Sequence, residues 1–148
     1  MQPTTESQVA IDGLNTLLRG ELAAVETYRQ ALGRIKDASL RPTVEENLRL
    51  HEQRLALLRS RILQMGGTPD VSSGAWGAFA RLVEAGAKAL GTTAAIDALE
   101  EGEDHGLKLY RNSMGKLDAE TRQIVETELF PAQEQTHRSL SALKHRLH

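Results

Sequence analysis

Five ionisable residues occupy positions where the surrounding pattern calls for an apolar side chain: Glu21, His51, Glu103, Glu134 and His137. Glu21 falls within Leu18, Glu21, Val25, Tyr28 and Leu32, whose alternating spacings of three and four mark one face of a helix. His51 falls within Val44, Leu48, His51, Leu55, Leu58 and Ile62, and Glu103 within Ile96, Leu99, Glu103, Gly106 and Tyr110. Phe130, Glu134, His137 and Leu140 make a fourth stripe, in which Glu-x-x-His sends both side chains to one face. A buried carboxylate without a partner is costly unless another group neutralises its charge. Three carboxylates and two imidazoles converging inside a bundle find an economical partner in a divalent metal. Oxygen and imidazole ligands suit iron, manganese or zinc.

Taken singly, each residue has a plainer explanation. Glu21 and Glu103 could be hydrogen-bonded to arginines, since buried ion pairs also hold helices in register. A lone core histidine is more often a satisfied polar group than a ligand, and Glu-x-x-His arises by chance on many helices. The metal reading rests on all five falling at corresponding places. Tyr28 and Tyr110 are expected in the core with their hydroxyls on a polar neighbour. Glu100, Glu101, His105, His145 and His148 are expected at the surface, while Glu45, one turn before Leu48, could reach the site.

The elements that must position these residues are four helices. The first is expected from about Ser7 to Lys36, after a flexible tail over about 1–6. The second follows Ser39 as N-cap, with Pro42 in its first turn, and stops near Met65 before Gly66-Gly67-Thr68-Pro69. The third opens after Gly91 and runs to about Met114. Gly115-Lys116-Leu117 turns the chain, and Asp118 caps the fourth helix. Turns of two or three residues make each pair an antiparallel hairpin, and a long connection over about 66–91 joins the two pairs. That connection carries a partly helical pattern (Phe79, Leu82, Val83, Ala87, Leu90), with Trp76 expected to anchor it.

The hairpins repeat. Gly20-Glu21 is followed by Tyr28-Arg29, and Gly102-Glu103 by Tyr110-Arg111 at the same spacing. These are the chain's only two tyrosines, so chance is a poor account of the match. The segments GELAAVETY, GEDHGLKLY and PAQEQTH resemble the ferritin-like superfamily, with rubrerythrin-like spacing. SSGAWGAF and ALEEGEDHGLKLYRNS are similar to a bacterial family of small ferritin-like proteins of unknown function, over roughly residues 10 to 147. The resemblance implies an all-α, single-domain four-helix bundle over 1–148, with a Glu from each of two helices and Glu-x-x-His from each of the other two. It further implies that Glu21 with His51 and Glu103 with His137 serve a pair of metals, bridged by Glu134. Leu48 departs from that pattern, because it stands where the second helix's glutamate belongs.

No cysteine is present, which removes disulfides, thiolate ligands and cysteine nucleophiles. The formal charge is −2 with signs interspersed, so nucleic acid is not an expected partner. No apolar run approaches membrane-spanning length and the N-terminus has no secretion-signal pattern, so a cytoplasmic protein is the default expectation. Ferritin-like hairpins also make a homodimer conceivable. The leading functional expectation is a dinuclear iron-type centre (manganese and zinc being the alternatives) that oxidises ferrous iron or disposes of peroxide or oxygen. The competing expectation is a metal-free bundle that retains the polar seam as an interaction or stress-associated protein. Haem between His51 and His137 is the weakest option, since no attachment motif exists.

Overall fold

The computed structural model describes residues 4–73 and 91–147, and the expectations for Trp76, the helical pattern of the connection and His148 lie outside them. Four long helices and a short 3-10 turn over Met114–Lys116 carry the described chain. Helix α1 spans Thr5–Leu32, α2 Arg41–Gln64 and α3 Thr92–Ser113. Helix α4 runs without a break through Ala119–Ile124, a π-helical turn over Val125–Leu129, and Phe130–Leu147.

The termini follow local chemistry. Thr4 caps α1 by accepting a hydrogen bond from the Ser7 amide, which brings residues expected in a flexible tail into the helix. At its other end α1 stops at the C-cap Gly33, short of the expected Lys36. Arg41 reaches back to the freed carbonyls, donating to Leu32 O at 2.8 Å and Ile35 O at 3.0 Å. The α1–α2 connection is therefore longer than sequence periodicity suggested, and buried Ile35 and Leu40 seal that end of the core. Ser39 is not the α2 cap: that position belongs to Leu40, and Ser39 binds Asp37 Oδ1 instead, with its amide at 2.9 Å and hydroxyl at 2.7 Å. Gly66, at φ 81°, supplies the left-handed residue that ends α2. Asp118 caps α4 through the Thr121 amide as its position suggested.

Helices α1 and α2 pack together, as do α3 and α4, while α1 lies against α3 and α2 against α4. Cross-helix contacts fix the directions. Tyr28 meets Glu103 and Glu21 meets Tyr110, so α1 and α3 are antiparallel. Arg61 near the end of α2 binds Asp118 at the start of α4, which places the ends of α2 and α3 at the same end of the bundle. The end of α2 and the start of α3 therefore lie at opposite ends of the bundle, and residues 68–73, after α2, lie along α1. Asn15 holds Thr68 O and the Asp70 amide, Arg19 binds Asp70, and Ser73 reaches Glu26.

The core divides into two apolar clusters. One includes Tyr28, Val44, Ile96 and Leu140, the other Leu14, Leu58, Tyr110 and Leu129. Between them lies a buried polar layer made of side chains from all four helices.

Candidate functional site

That polar layer is built on Glu21 of α1, His51 and Arg54 of α2, Glu103 of α3, and Gln133 and Thr136 of α4, all buried. His51 stands between the two carboxylates, with Nδ1 2.6 Å from Glu21 Oε2 and Nε2 2.6 Å from Glu103 Oε2. Arg54 donates through Nε to Glu21 Oε1 at 3.1 Å and through Nη2 to Gln133 Oε1 at 3.0 Å. The same Nη2 packs against the imidazole, 2.6 Å from Nδ1 and 3.0 Å from Nε2. Tyr110 OH donates to Glu21 Oε1 at 2.8 Å, and Tyr28 OH donates to Glu103 Oε2. Gln133 Nε2 and Thr136 Oγ1 complete Glu103 Oε1 at 2.9 and 2.7 Å. Asn47 of α2 anchors the edge, donating to Tyr28 OH at 3.2 Å and Ser139 Oγ at 2.8 Å.

The sequence repeat acquires a physical meaning here. Each tyrosine serves the glutamate of the other hairpin, so the Glu-to-Tyr spacing builds a reciprocal pair across α1 and α3. Gly106 makes room on α4's side, since a Cβ there would run into the Gln133 amide that reaches Glu103.

The charges compensate one another. Burial alone would raise the Glu21 pKa, but the charges of Arg54 and His51, with hydrogen bonds from His51 and Tyr110, hold it at about 2. Burial likewise works against Glu103, and His51, Thr136 and Tyr28 overcome it to lower its pKa. For His51, burial favours the neutral ring, yet Glu103 and Glu21 outweigh both burial and Arg54, and its pKa is raised. The imidazolium then donates from both nitrogens, one to each carboxylate. Burial and the adjoining carboxylates push both tyrosines well above their ordinary value, so they remain donors. Two carboxylates thus face one imidazolium and one guanidinium.

Of the five residues singled out by sequence, Glu21, His51 and Glu103 meet in this layer, while Glu134 and His137 do not. On α4 the buried seam is Thr121, Val125, Leu129, Gln133, Thr136, Leu140 and Leu143. Three successive steps of four would swing a regular helix by about 120° from Thr121 to Gln133. The π-turn at Val125–Leu129 takes up most of that rotation and keeps the seam on one face. Glu134 and His137 consequently fall one residue off the seam, half-buried on the outer side. His137 Nε2 lies 3.2 Å from Asp104 Oδ1 and 4.0 Å from Glu100 Oε1. Glu100 is not solvated as expected but mostly buried, and binds Lys144. Glu45 is exposed beside Arg41 and does not reach the centre.

Arg54 and Asn47 are the residues that apolar periodicity missed. The α2 seam is Val44, Asn47, His51, Arg54, Leu58 and Ile62, whereas Leu48 and Leu55 lie half-buried beside it. The available signal was that Asn47, His51 and Arg54 share the three-and-four spacing as well as the leucines do.

A ferritin-like dinuclear centre does not fit this donor set. Such centres take Glu from two helices and Glu-x-x-His from the other two. Here the layer offers two carboxylates and one imidazole, with Gln133 and Thr136 as the α4 residues. The imidazole faces the two carboxylates from opposite nitrogens, so no single point is shared by Glu21, Glu103 and one ring nitrogen. Every oxygen of Glu21 and Glu103 already accepts at least one hydrogen bond. Arg54, a permanent cation, stands among them.

Fold comparison agrees with the helical arrangement. A crystal structure described as "ferritin like, diiron-carboxylate proteins from Bacillus anthracis str. Ames" superposes with a TM-score of 0.63 at 17% identity, covering 97% of this chain and 96% of that one. No curated protein matches the sequence. Among the described residues no helix is long and apolar enough to cross a membrane. The family described as "Domain of unknown function (DUF2383)" matches residues 9–116, and with its ferritin-like bundle the chain belongs to that family.

Proposed function

We propose that this chain is a ferritin-like bundle whose central site is held by its own charges, and that it serves as a non-catalytic interaction or structural module. The observation that carries this reading is Arg54, a buried guanidinium within hydrogen-bonding reach of Glu21, Gln133 and Thr136 in the middle of the bundle. Arg54 and protonated His51 balance Glu21 and Glu103. The charges of the layer sum to zero and each carboxylate oxygen accepts a hydrogen bond, the condition under which buried charges are tolerated, although Arg54 Nη1 has no partner.

A competing reading is a redox bundle that binds iron and oxidises ferrous ions or removes peroxide or oxygen. Its support is the meeting of Glu21, His51 and Glu103 from three helices, together with a similar fold whose description names diiron-carboxylate proteins. One experiment separates the two. Protein purified without added metal is reconstituted anaerobically with ferrous iron, exchanged into metal-free buffer, and analysed for bound metal and oxygen consumption. The proposal expects no iron that depends on Glu103 and no catalysed oxidation. Two equivalents of iron per chain, lost in Glu103→Gln and accompanied by oxygen uptake, would establish the redox reading instead.

A further inference from the structure

Glu134 and His137 leave the bundle interior, but His137 does not leave metal-ligating company. Glu100 and Asp104 are one turn apart on α3 and share a face. His137 approaches them from α4, and the three ligand atoms lie within 4.8 Å of one another. We propose that Glu100, Asp104 and His137 bind one divalent transition-metal ion of the zinc class at the outer seam between α3 and α4.

Three observations carry this. The first is the donor set, two carboxylate oxygens and one imidazole nitrogen, which zinc accepts with water in the fourth position. The second is the spacing. Tetrahedral bonds of about 2.0–2.2 Å leave ligand atoms roughly 3.3–3.6 Å apart. Asp104 and His137 stand at 3.2 Å and Glu100 Oε1 is 4.0 Å from His137, so a small side-chain adjustment closes the set. The third is His137 Nε2 itself, a buried nitrogen without an aligned hydrogen bond despite its nearness to Asp104. A native structure rarely leaves such an atom unserved, and an ion between it and the carboxylates serves it.

The neighbouring cation does not compete for the same atom. Lys144 binds Glu100 Oε2 at 3.2 Å, leaving Oε1 directed toward His137. His137 is 23% exposed and Glu100 18%, while Asp104 is 53% exposed, so an ion enters from the Asp104 side without opening the bundle. This site is independent of the central layer and stands whichever way that layer is decided.

The test is a zinc chloride titration of the full chain by calorimetry, with metal content measured after gel filtration. The wild type should bind one zinc per chain. Loss of an outer-shell partner alone costs metal sites about 10–100-fold, so His137→Gln and Asp104→Asn should each weaken binding at least about tenfold. His145→Gln, at an exposed residue elsewhere on α4, should bind as the wild type does. Absence of stoichiometric zinc in the wild type overturns the proposal, as does equal affinity in His137→Gln. Zinc that survives both outer variants but disappears in Glu103→Gln, confirmed as folded by circular dichroism, overturns it and the charge-held reading of the centre together.

Discussion

The buried layer around Glu103 draws side chains from all four helices, whereas the outer triad around His137 stands on α3 and α4 alone. Both hold two carboxylates and an imidazole. In the inner layer Arg54, two tyrosines, Gln133 and Thr136 accompany them, and every carboxylate oxygen is occupied. In the outer triad Lys144 is the only added cation among the described contacts, and His137 Nε2 lacks an aligned partner. The same residue types therefore make a network of satisfied carboxylates in one place, with Arg54 Nη1 its unpartnered donor, and a receptive site in the other. What differs is whether nearby donors have already used the lone pairs.

The sharpest way to break this contrast is to remove the inner cation. Arg54→Met leaves Glu21 buried with less compensation and should destabilise the fold by about 3–5 kcal/mol in urea unfolding. Adding Glu21→Gln to Arg54→Met should recover part of that loss, because the two residues act as a pair. Full additivity of the two losses would show that they do not couple.

The pH profile should carry the same signature. Glu21 has a folded pKa of about 2 against an ordinary 4.5, so its stabilisation is complete above 4.5 and disappears as pH falls through about 2. That contribution is on the order of 3 kcal/mol. Glu103 is shifted in the same direction. His51 is raised above 6.5, so its contribution is complete below 6.5 and is lost as pH rises through the folded value. Unfolding measured across pH should thus show greatest stability between about 4.5 and 6.5 from these groups, and His51→Gln should flatten the alkaline limb. An unchanged alkaline limb in that variant would assign the slope to other groups.

Gly106→Ala sharpens the comparison from the packing side. Its methyl displaces the Gln133 amide from Glu103 and should cost about 1–3 kcal/mol, read as a lowered urea midpoint. The smallest effects belong to the outer triad. Without metal, Asp104→Asn and His137→Gln should each change stability by less than about 1 kcal/mol, since partly exposed ion pairs contribute little. A larger loss would mean the triad is structural.

Much of the fold was legible because it depends on local periodicity. Leu18, Val25 and Leu58 announce helical faces, and Gly66-Gly67 and Asp118 mark ends that the structure keeps. The repeated Glu21/Tyr28 and Glu103/Tyr110 spacing announced two related helices, and the structure joins them as reciprocal hydrogen-bonded pairs. The errors cluster where polar residues compete with leucines for a seam. Leu48 and Leu55 outbid Asn47 and Arg54 in any count of hydrophobic residues, yet burial favoured the polar pair because Glu21, Tyr28 and Gln133 were waiting for them.

The sequence by itself determined four helices, their pairing into hairpins, a long connection between the hairpins and three of the charges in the middle. These follow from spacing along one chain, which backbone geometry converts directly into faces. Only the tertiary structure decided that α4 presents Gln133 and Thr136 inward and Glu134 and His137 outward. A single π-turn several residues upstream sets that rotation, and the packing of Val125 and Leu129 against the core holds it in place. One residue of rotation separates a ligand for the bundle centre from a ligand for its surface.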